Sequence, residues 1–534
     1  MIKKYYATKD NTITNAFESS LTTRGTGSNM GASDILETFS IYGQVSSAAG
    51  GLTSELERIL VQFPIDQVVA DRSSGVLPAS GSVSFYLNLY NAKHSETLPR
   101  DFYLSVRSLR QAWQEGSGLD MVSYNDLTYD QTGSNWIKSA GPTSWTTAGG
   151  YYWGNDDLSS SFSQYFNLGT EDLSIDISNV VEQWVNNANG VNPSGWVSNN
   201  PATWSKPNYG VLIRLSGSYE SAPRSYYTKK FFSRTSQYFL NRPTLEARWD
   251  SSKQDDRGSF YLSSSLAPSA DNLNTIYLYN YVRGRLTDIP SINTATHGIM
   301  VSLYSGSAAN TEPSGEALRL SADGVYVNPY AGARPNWNQV VTGGWVSTGI
   351  YSASFAYTGS TTINTVYDVW FSGSDAIANS AAATLQFKTG SIAVKRFSSL
   401  MHTDTPTYVL SVNNRKTGYN YSQTHRVKLY VRQKNWSPNI YTTATTVPNS
   451  MVFESASYQI YRVADDRVII PYNTGSDNAT RLSYDVSGNY FDFDASYLEP
   501  NYTYGVKFSI YDTDTQTYEE QPYAYKFRVI KNEY

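Results

Sequence analysis

The sequence predicts an all-β protein made of three consecutive β-sandwich domains. Two observations indicate this fold class. Apolar and polar residues alternate with a period of two along the whole chain, and the segments between these runs are rich in Gly, Asn, Asp and Ser. Such alternation is typical of strands with one buried face, and those four residue types are the ones that tight turns require. The composition agrees, because 44 tyrosines and a charged fraction of only 16% favour strands over helices.

The predicted elements follow the same pattern from one end of the chain to the other. The clearest strands are SVSFYLNLYNA (82–92), YGVLIRLSGS (209–218), GIYSASFAYTG (349–359) and RVKLYVRQK (426–434). Only one stretch, SNVVEQWVNN (178–187), makes a fair helix. Val180, Val181 and Trp184 would share one face of this helix, and Ser178 would cap its start.

The length of 534 residues requires several hydrophobic cores, because a domain averages about 150 residues. A charged, Ser-rich break at 248–259 predicts a linker, and a weaker break lies at 398–407. We therefore expect independent domains at 1–250, 251–400 and 401–534, and proteolysis between Trp249 and Ser259. No repeat of 20 to 50 residues is present, which argues against a solenoid or a propeller.

Charge and composition exclude several classes of function. The formal net charge is −5 with both signs interspersed, so no basic stripe offers itself to nucleic acid. The chain has no cysteine, which rules out disulfides and thiolate metal sites. Its four histidines, at positions 94, 297, 402 and 425, form no zinc-binding pair. No G-x-S-x-G nucleophile elbow occurs, so the sequence predicts neither an enzyme nor a zinc protein.

The start of the chain, MIKKYYATKDNTIT, lacks the apolar stretch of a signal peptide or a membrane span. No later segment is apolar enough to cross a bilayer. We therefore expect a protein that is made in the cytoplasm, is not inserted in a membrane, and leaves the cell by a route such as lysis.

The first 250 residues resemble the DNRLRE-type β-sandwich, a jelly-roll module of carbohydrate-binding-module character found on surface and virion proteins. The motifs that carry the resemblance occur in the family's order: NMGASDILETFSIYG, ERILVQFPI, VSFYLNLYNA, AWQEGSGLD, TGSNWIKSA, SWTTAGGYY, EQWVNN, YGVLIRLSG and FFSRTSQYFLNRPTLEARW. The resemblance implies a jelly-roll-like N-terminal domain.

The last 130 residues resemble the C-terminal part of structural proteins of tailed bacteriophages of the marine T4-like type. The stretches that carry this resemblance are VRQKNWSPNIY and the run from YQIYRVADDR to YGVKFSIYD. Read from the residues alone, this region is an Ig-like sandwich, because YQIYRV and YGVKFSIYD alternate and DVSGN is typical of a hairpin turn. Alternating runs in the middle domain predict a further Ig-like sandwich that acts as a spacer or a docking surface.

The stretch QAWQEGSGLD (111–120) offers three interpretations. Its glycines permit sharp turns and Trp113 can cover the edge of a core, which makes it a structural excursion between strands. Alternatively, exposed rings can stack on sugars, and such a glycan-contact platform would be built from Trp113, Trp136, Trp145 and Trp153. Glu115 and Asp120 would be the carboxylate pair of a glycosidase. The sequence favours the structural interpretation, and we expect no catalytic residue.

Calcium is the one cofactor that the sequence leaves open. Jelly-roll modules often bind it through loop oxygens, and the acids that could supply them are Asp120, Asp126, Asp130, Asp156 and Asp157. These acids lack the D-x-D-x-D-G spacing of an EF-hand loop. Solvated loop acids are therefore the favoured interpretation, and we expect no bound cofactor.

Two functions follow from these observations. The resemblance of the C-terminal region implies a non-enzymatic virion component of a tailed phage at the neck, collar, baseplate, fibre or head surface. Such a subunit would be held by other virion proteins and would be a homo-oligomer within the particle. The alternative is an adhesin that recognises host surface glycans through its N-terminal module.

Overall fold

The computed structural model describes most of the chain. The described residues are 1–46, 52–94, 98–119, 133–154, 161–190, 205–222, 225–264, 266–268, 271–290, 292, 298–305, 317–320, 339–358, 363–373, 385–395, 408–434, 436, 450–475, 477–512 and 515–531. Strands dominate these residues and pair into sandwiches, so the predicted all-β, multi-sandwich class is confirmed.

The first sandwich contains thirteen strands in the described part of the chain. They are β1 (Ile2–Tyr6), β2 (Lys9–Thr14), β3 (Ile35–Ser46), β4 (Leu52–Gln62), β5 (Ser84–Leu89), β6 (Phe102–Ser108), β7 (Lys138–Ala140), β8 (Thr143–Ser144), β9 (Ser161–Phe166), β10 (Leu173–Asp176), β11 (Val211–Leu215), β12 (Tyr226–Phe232) and β13 (Thr244–Arg248). One sheet has the order β1-β13-β5-β10, and the other has the order β12-β3-β4-β11-β6-β9, with β2 paired to β4. Strands β7 and β8 form a separate hairpin.

The core of this sandwich lies between the two sheets. Phe85, Leu87 and Leu89 alternate along β5 and are all fully buried, as period-two patterning requires. Phe102, Leu104 and Val106 of β6 repeat the pattern in the other sheet and belong to the same buried cluster. The alternation in the sequence thus corresponds directly to the inward faces of the strands.

Among the described residues, three α-helices accompany these sheets, although the sequence indicated only one. They are α1 (Ile65–Ser73), α2 (Ser178–Ala188) and α3 (Ser218–Ser221). Helix α2 is the predicted helix, and its Val180, Val181 and Trp184 are fully buried. Ser178 does not cap it, because its hydroxyl accepts the amide of Phe85 at 2.7 Å instead.

Helix α1 was missed because its own pattern is weak: only Ile65 and Val68 are buried. Contacts with other elements stabilise it. Arg72 forms a bidentate pair with Glu182 of α2, with N–O distances of 2.8 and 2.6 Å. Asp71 accepts the hydroxyl of Tyr5 at 2.6 Å. Tertiary contacts of this kind override weak local propensity.

The second sandwich is smaller and uses strands β14 to β22. They are β14 (Asn274–Tyr279), β15 (Tyr281–Val282), β16 (Arg285–Leu286), β17 (Gly298–Ser305), β18 (Val341–Thr342), β19 (Gly344–Ser347), β20 (Ile350–Phe355), β21 (Thr365–Gly373) and β22 (Gln386–Ala393). Sheets of order β14-β20-β19 and β18-β17-β21-β22 enclose a core around the fully buried Trp370. Strands β15 and β16 form a short hairpin of their own.

The third sandwich uses strands β23 to β31. They are β23 (Tyr408–Val412), β24 (Gly418–Asn420), β25 (Thr424–Gln433), β26 (Ala456–Arg462), β27 (Arg467–Ile470), β28 (Ser483–Asp485), β29 (Gly488–Asp494), β30 (Thr503–Asp512) and β31 (Thr517–Ile530). The sheets have the orders β23-β25-β29-β28 and β24-β31-β30-β26-β27. Their core is aromatic: Tyr458 stacks on Phe491 at 4.1 Å between ring centroids. The predicted DVSGN hairpin turn joins β28 to β29.

The first and third sandwiches pack directly against each other. Ile2 of β1 and Leu240, which precedes β13, are 4% and 7% exposed and belong to the buried cluster of the third sandwich. Lys4 donates to the carbonyl oxygen of Ile469 in β27 at 3.2 Å. Arg467 donates to the side chain of Asn241 and lies over the ring of Tyr90 at 4.7 Å. The first and third sandwiches, which are far apart along the chain, are therefore in direct contact.

The polar break at 248–259 is not the free linker that the sequence predicted. The amide of Asp255 donates to Tyr484 O, and the amide of Tyr484 donates to Lys253 O, both at 2.9 Å. The Tyr484 hydroxyl donates to Asp256 at 3.0 Å. The backbone of this segment and the Asp256 carboxylate are thus fixed by Tyr484 of the third sandwich, which the sequence pattern alone does not reveal.

The same segment also holds the second sandwich. Arg257 forms a bidentate pair with the buried Asp368 of β21, with N–O distances of 2.6 and 2.5 Å. Asp256 accepts the amide of Thr275 in β14 at 2.6 Å. Residues 250–259 are therefore a junction at which all three sandwiches meet, and we call them the junction segment.

Candidate binding surfaces

The four tryptophans proposed for glycan contact do not form an exposed platform. Trp113, Trp136 and Trp145 are only 3%, 9% and 5% exposed. They pack with Ile13 and Leu60 in a second core on the outer side of the larger sheet. The indole nitrogens of Trp113 and Trp145 donate to backbone carbonyls at 2.8 Å. These rings fill a core, which corrects the prediction that they are available for stacking.

The fourth ring, that of Trp153, is partly exposed, but two cationic side chains lie over it. The Arg110 guanidinium lies 4.0 Å and the Lys206 ammonium 4.6 Å from the ring centroid. These are cation–π distances, so both cations compete with any sugar for this ring. The described part of the stretch 111–120 places Trp113 in a core, as the structural interpretation of that stretch expects.

Glu115 is part of a partly buried polar network. Its carboxylate makes a bidentate pair with Arg234, with both N–O distances at 2.6 Å, and accepts the amide of Asp10 at 2.8 Å. The amide of Arg234 donates to the Asp10 carboxylate at 2.5 Å. The proposed carboxylate partner, Asp120, lies outside the described residues.

Asn29 closes this network around the glycines of the excursion. Its amide nitrogen donates to Glu115 O and Ser134 O, and its oxygen accepts the amide of Gly118 at 2.8 Å. A Cβ on Gly118 would lie 1.9 Å from the carbonyl oxygen of Asn29. Glycine is therefore needed here for close approach of two backbones, not for catalysis.

Two carboxyls in this domain have raised pKa values. Burial, assisted by the nearby Glu115 carboxylate, raises the pKa of Asp10 to about 7. Burial also raises the pKa of Glu57 well above its usual range, and neither of its oxygens has a hydrogen-bond partner. A buried carboxyl of this kind costs the folded state less when it is protonated than when it is charged.

The structure does not describe the five acids that were considered as calcium ligands. Asp120, Asp126, Asp130, Asp156 and Asp157 are not among the described residues. Within the described residues, no three His, Cys, Asp or Glu side chains are placed to hold a metal ion. Among the same residues, no helix has the length and apolar character that a membrane crossing requires.

An aromatic cluster that the sequence pattern does not predict lies on the surface of the first sandwich. We call it the tyrosine patch: Tyr103, Tyr165, Tyr219, Tyr226 and Tyr227. Three of its rings, those of Tyr103, Tyr165 and Tyr226, are 40%, 44% and 61% exposed. Tyr103 and Tyr165 are register partners on β6 and β9, with ring centroids 4.9 Å apart.

Tyr219 connects the two halves of the tyrosine patch. Its ring centroid lies 6.2 Å from that of Tyr103 and 5.1 Å from that of Tyr227, which stacks on Tyr226 at 4.7 Å. The Tyr165 hydroxyl donates to Asp101 at 2.6 Å, and this hydrogen bond raises the pKa of Tyr165 to about 12. The hydroxyl of Tyr165 is therefore held by Asp101 while its ring stays exposed beside that of Tyr103.

A second exposed cluster lies at one end of the middle sandwich. We call it the hairpin tip: Tyr281, Val282, Arg283, Arg285 and Trp345. Tyr281, Val282 and Trp345 are 60%, 50% and 57% exposed, and both arginines are also exposed. The tip joins the β15–β16 hairpin to β19, because Gly349 N and the Trp345 indole both donate to Asp288.

The described residues thus define a class: an all-β protein of consecutive sandwiches with aromatic surface clusters and a hydrogen-bonded junction. No family model and no curated protein matches the sequence. The titin structure A168169 is 7% identical, covering 53% of this chain and 97% of its own, with a TM-score of 0.14. The IG1 and IG2 domains of DIP-gamma are 10% identical, covering 50% and 92%, with a TM-score of 0.12.

A third similarity is to trypsin-activated alpha-2-macroglobulin from Escherichia coli. It is 10% identical, covers 62% of this chain and 20% of that protein, and has a TM-score of 0.14. Superpositions this poor identify no relative. The fold assignment therefore rests on the sheets themselves.

Proposed function

We propose that this protein is a non-enzymatic structural subunit of a larger particle that acts through protein–protein docking. The resemblance of its last 130 residues makes the virion of a tailed phage the particle that we propose. In this proposal the chain is held in fixed copy number by other virion proteins and by copies of itself.

The observation that carries the proposal is the junction of the three sandwiches. Arg257 and Asp256 tie the junction segment to the middle sandwich, while Tyr484 ties it to the last. Leu240 inserts into the core of the last sandwich from the first. Such contacts fix the positions of the three sandwiches relative to one another. A subunit that docks through several surfaces binds more tightly when those positions are fixed, because less conformational entropy is lost on docking.

The exposed aromatic clusters supply surfaces for docking. Protein interfaces are enriched in Tyr, Trp and Arg, and both the tyrosine patch and the hairpin tip consist largely of these residues. In contrast, the neighbouring carboxylates of Asp10 and Glu115, a pair that would suggest an acid–base site, both accept hydrogen bonds from Arg234. The described surface therefore favours binding over catalysis.

Quantitative mass spectrometry of purified particles tests the proposal. The chain should co-purify at a constant ratio to the major capsid protein across density gradients and salt washes. A chain that is absent from particles, or whose ratio varies from one preparation to the next, would refute the structural role.

The alternative function is a glycan-binding adhesin, and the tyrosine patch is the observation that favours it. Its exposed rings offer the flat amphipathic faces on which sugars stack, which the buried tryptophans do not. A glycan array with the full chain tests this alternative. Binding that is lost in Tyr226→Ala and Tyr165→Ala but kept in Tyr238→Ala, another exposed tyrosine, would establish it.

A further inference from the structure

The hairpin tip has the composition of an interface hot spot. Trp, Tyr and Arg are the residues that most often dominate binding energy, and the tip exposes one Trp, one Tyr and two Arg. Val282, at 50% exposure, adds an aliphatic contact beside them. Exposed apolar groups rimmed by polar residues are typical of interaction sites.

The tip is held rigidly before any partner arrives. Asp288 accepts the Trp345 indole at 3.0 Å and the Gly349 amide at 2.7 Å. The side chain of Asn280 donates to Thr287 O at 2.6 Å across the base of the β15–β16 hairpin. These bonds fix the Trp345 ring in its exposed orientation, so little side-chain entropy is lost on docking.

The turn at the end of the hairpin directs an arginine outward at a conformational cost. Arg283 and Gly284 have φ values of 50° and 79°, the positive pair of a type I′ turn. Asn, Asp or Gly normally occupies the first of these positions, because a larger side chain is disfavoured there. Local backbone stability alone would favour Asn, Asp or Gly at position 283, so Arg283 lowers the stability of the turn.

The charge of the tip defines the chemistry of its partner. Residues 280–289 contain Arg283, Arg285 and one acid, Asp288, whose carboxylate is already engaged by two donors. Within the described residues neither guanidinium is paired with a carboxylate, and Arg has a bidentate preference for such a partner. Two cations are too few for the array of phosphate contacts that nucleic acid binding uses.

We propose that the hairpin tip docks into an acidic groove of a neighbouring protein in the particle. Trp345 and Tyr281 fill the apolar part of the groove, and Arg283 and Arg285 pair with carboxylates at its rim. This inference rests on the proposed structural function, and it assigns a partner chemistry to a domain that the sequence predicted only as a spacer or docking surface.

The test uses the full chain and particles assembled without it. Re-binding of the purified chain to these particles is measured by co-sedimentation. Trp345→Ala and the double variant Arg283→Glu/Arg285→Glu should each weaken re-binding at least tenfold. Arg285→Lys should weaken it less, and binding of the wild-type chain should fall with added salt. Arg100→Glu, an exposed arginine of the first sandwich, is the matched control and should bind as the wild type does.

The outcomes separate this inference from the proposed function. A wild-type chain that binds no particle refutes the structural role, whereas equal binding by the wild type and both tip variants refutes only the tip. Melting temperatures within a few degrees of the wild type show that the variants are folded.

Self-association of the wild-type chain that the tip variants lose would replace the acidic neighbour with a second copy. Binding to a DNA duplex that the same variants lose would replace it with nucleic acid.

Discussion

Arg234 shows how single residues hold the first sandwich together. Its guanidinium pairs with Glu115, and its backbone amide donates to Asp10, so one residue fixes both the start of the chain and the long excursion after β6. The two members of the pair are 119 positions apart. No local pattern in the sequence could have revealed the pairing, although the SR motif that contains Arg234 belongs to the resemblance of the first domain.

Replacing Arg234 with methionine should destabilise the first sandwich by about 2 kcal/mol. The change leaves the Glu115 carboxylate without its bidentate partner, and a partly buried charge is costly when it is unpaired. Urea unfolding monitored by tryptophan fluorescence measures the loss. Arg100→Met, a surface control, should change the free energy of unfolding by less than about 0.5 kcal/mol.

The raised pKa values of Asp10 and Asp255 predict a pH dependence of stability. Burial raises these pKa values to about 7 and about 6, above the ordinary value of 3.8. The folded state therefore binds protons more tightly than the unfolded state, and this stabilisation is present below pH 4 and is lost as the pH rises through 6 to 7.

Asp10→Asn tests this dependence directly. The variant keeps an oxygen that can accept the Arg234 amide but removes the ionisation. Its melting temperature relative to wild type should therefore rise between pH 5 and pH 8. Parallel curves for the two proteins over this range would contradict the assignment of a raised pKa to Asp10.

At the scale of elements, strands were predictable from the sequence and contacts between elements were not. The four alternating runs became β5, β11, β20 and β25, because a period of two requires only that one face be buried. The sequence could not distinguish the buried Trp113 from the exposed Trp345, since the burial of each ring depends on contacts between elements that are distant along the chain. The tyrosine patch was missed because it depends on the register of β6 with β9.

The junction segment should resist proteases although its sequence resembles a linker. Backbone hydrogen bonds with Tyr484 hold residues 253 and 255 in an extended pairing that a protease cannot accommodate. Limited proteolysis followed by mass spectrometry should find cleavage elsewhere before it occurs at 250–259. Rapid cleavage within this segment would show that the junction opens in solution.

Leu240 should matter to the third sandwich although it belongs to the first. It is 7% exposed and lies in the cluster formed by the last domain, so Leu240→Ala should cost about 2–3 kcal/mol. Calorimetry should show the lowered transition in the third sandwich as well as in the first. Leu266→Ala, at a residue that is 97% exposed, is the control and should have little effect.

At the scale of the whole molecule, the first and last sandwiches behave as one unit from which the middle sandwich projects its hairpin tip. The sequence predicted independent domains and did not predict this packing. A sequence pattern indicates which face of a strand is buried but not which element covers that face. Ile2, Lys4 and Leu240 contribute to this shared surface, and their partners in the third sandwich lie far away along the chain: Lys4 and Ile469 are 465 positions apart.

Deleting residues 401–534 should therefore destabilise what remains. The deletion exposes Ile2 and Leu240 and removes the carbonyl partner of Lys4. The truncated chain should melt at a lower temperature and bind a hydrophobic dye. The same truncation carrying Ile2→Ser and Leu240→Ser should bind less dye, and equal dye binding by the two would place the exposed apolar surface elsewhere.

Imaging of the purified particle by cryo-electron microscopy tests the central claim most directly. The account predicts density for a fixed number of copies, with the first and last sandwiches packed together and the hairpin tip seated against a neighbouring protein. Particles that contain no density for this chain, or that show it only as a loosely attached appendage with the tip in solvent, would contradict it.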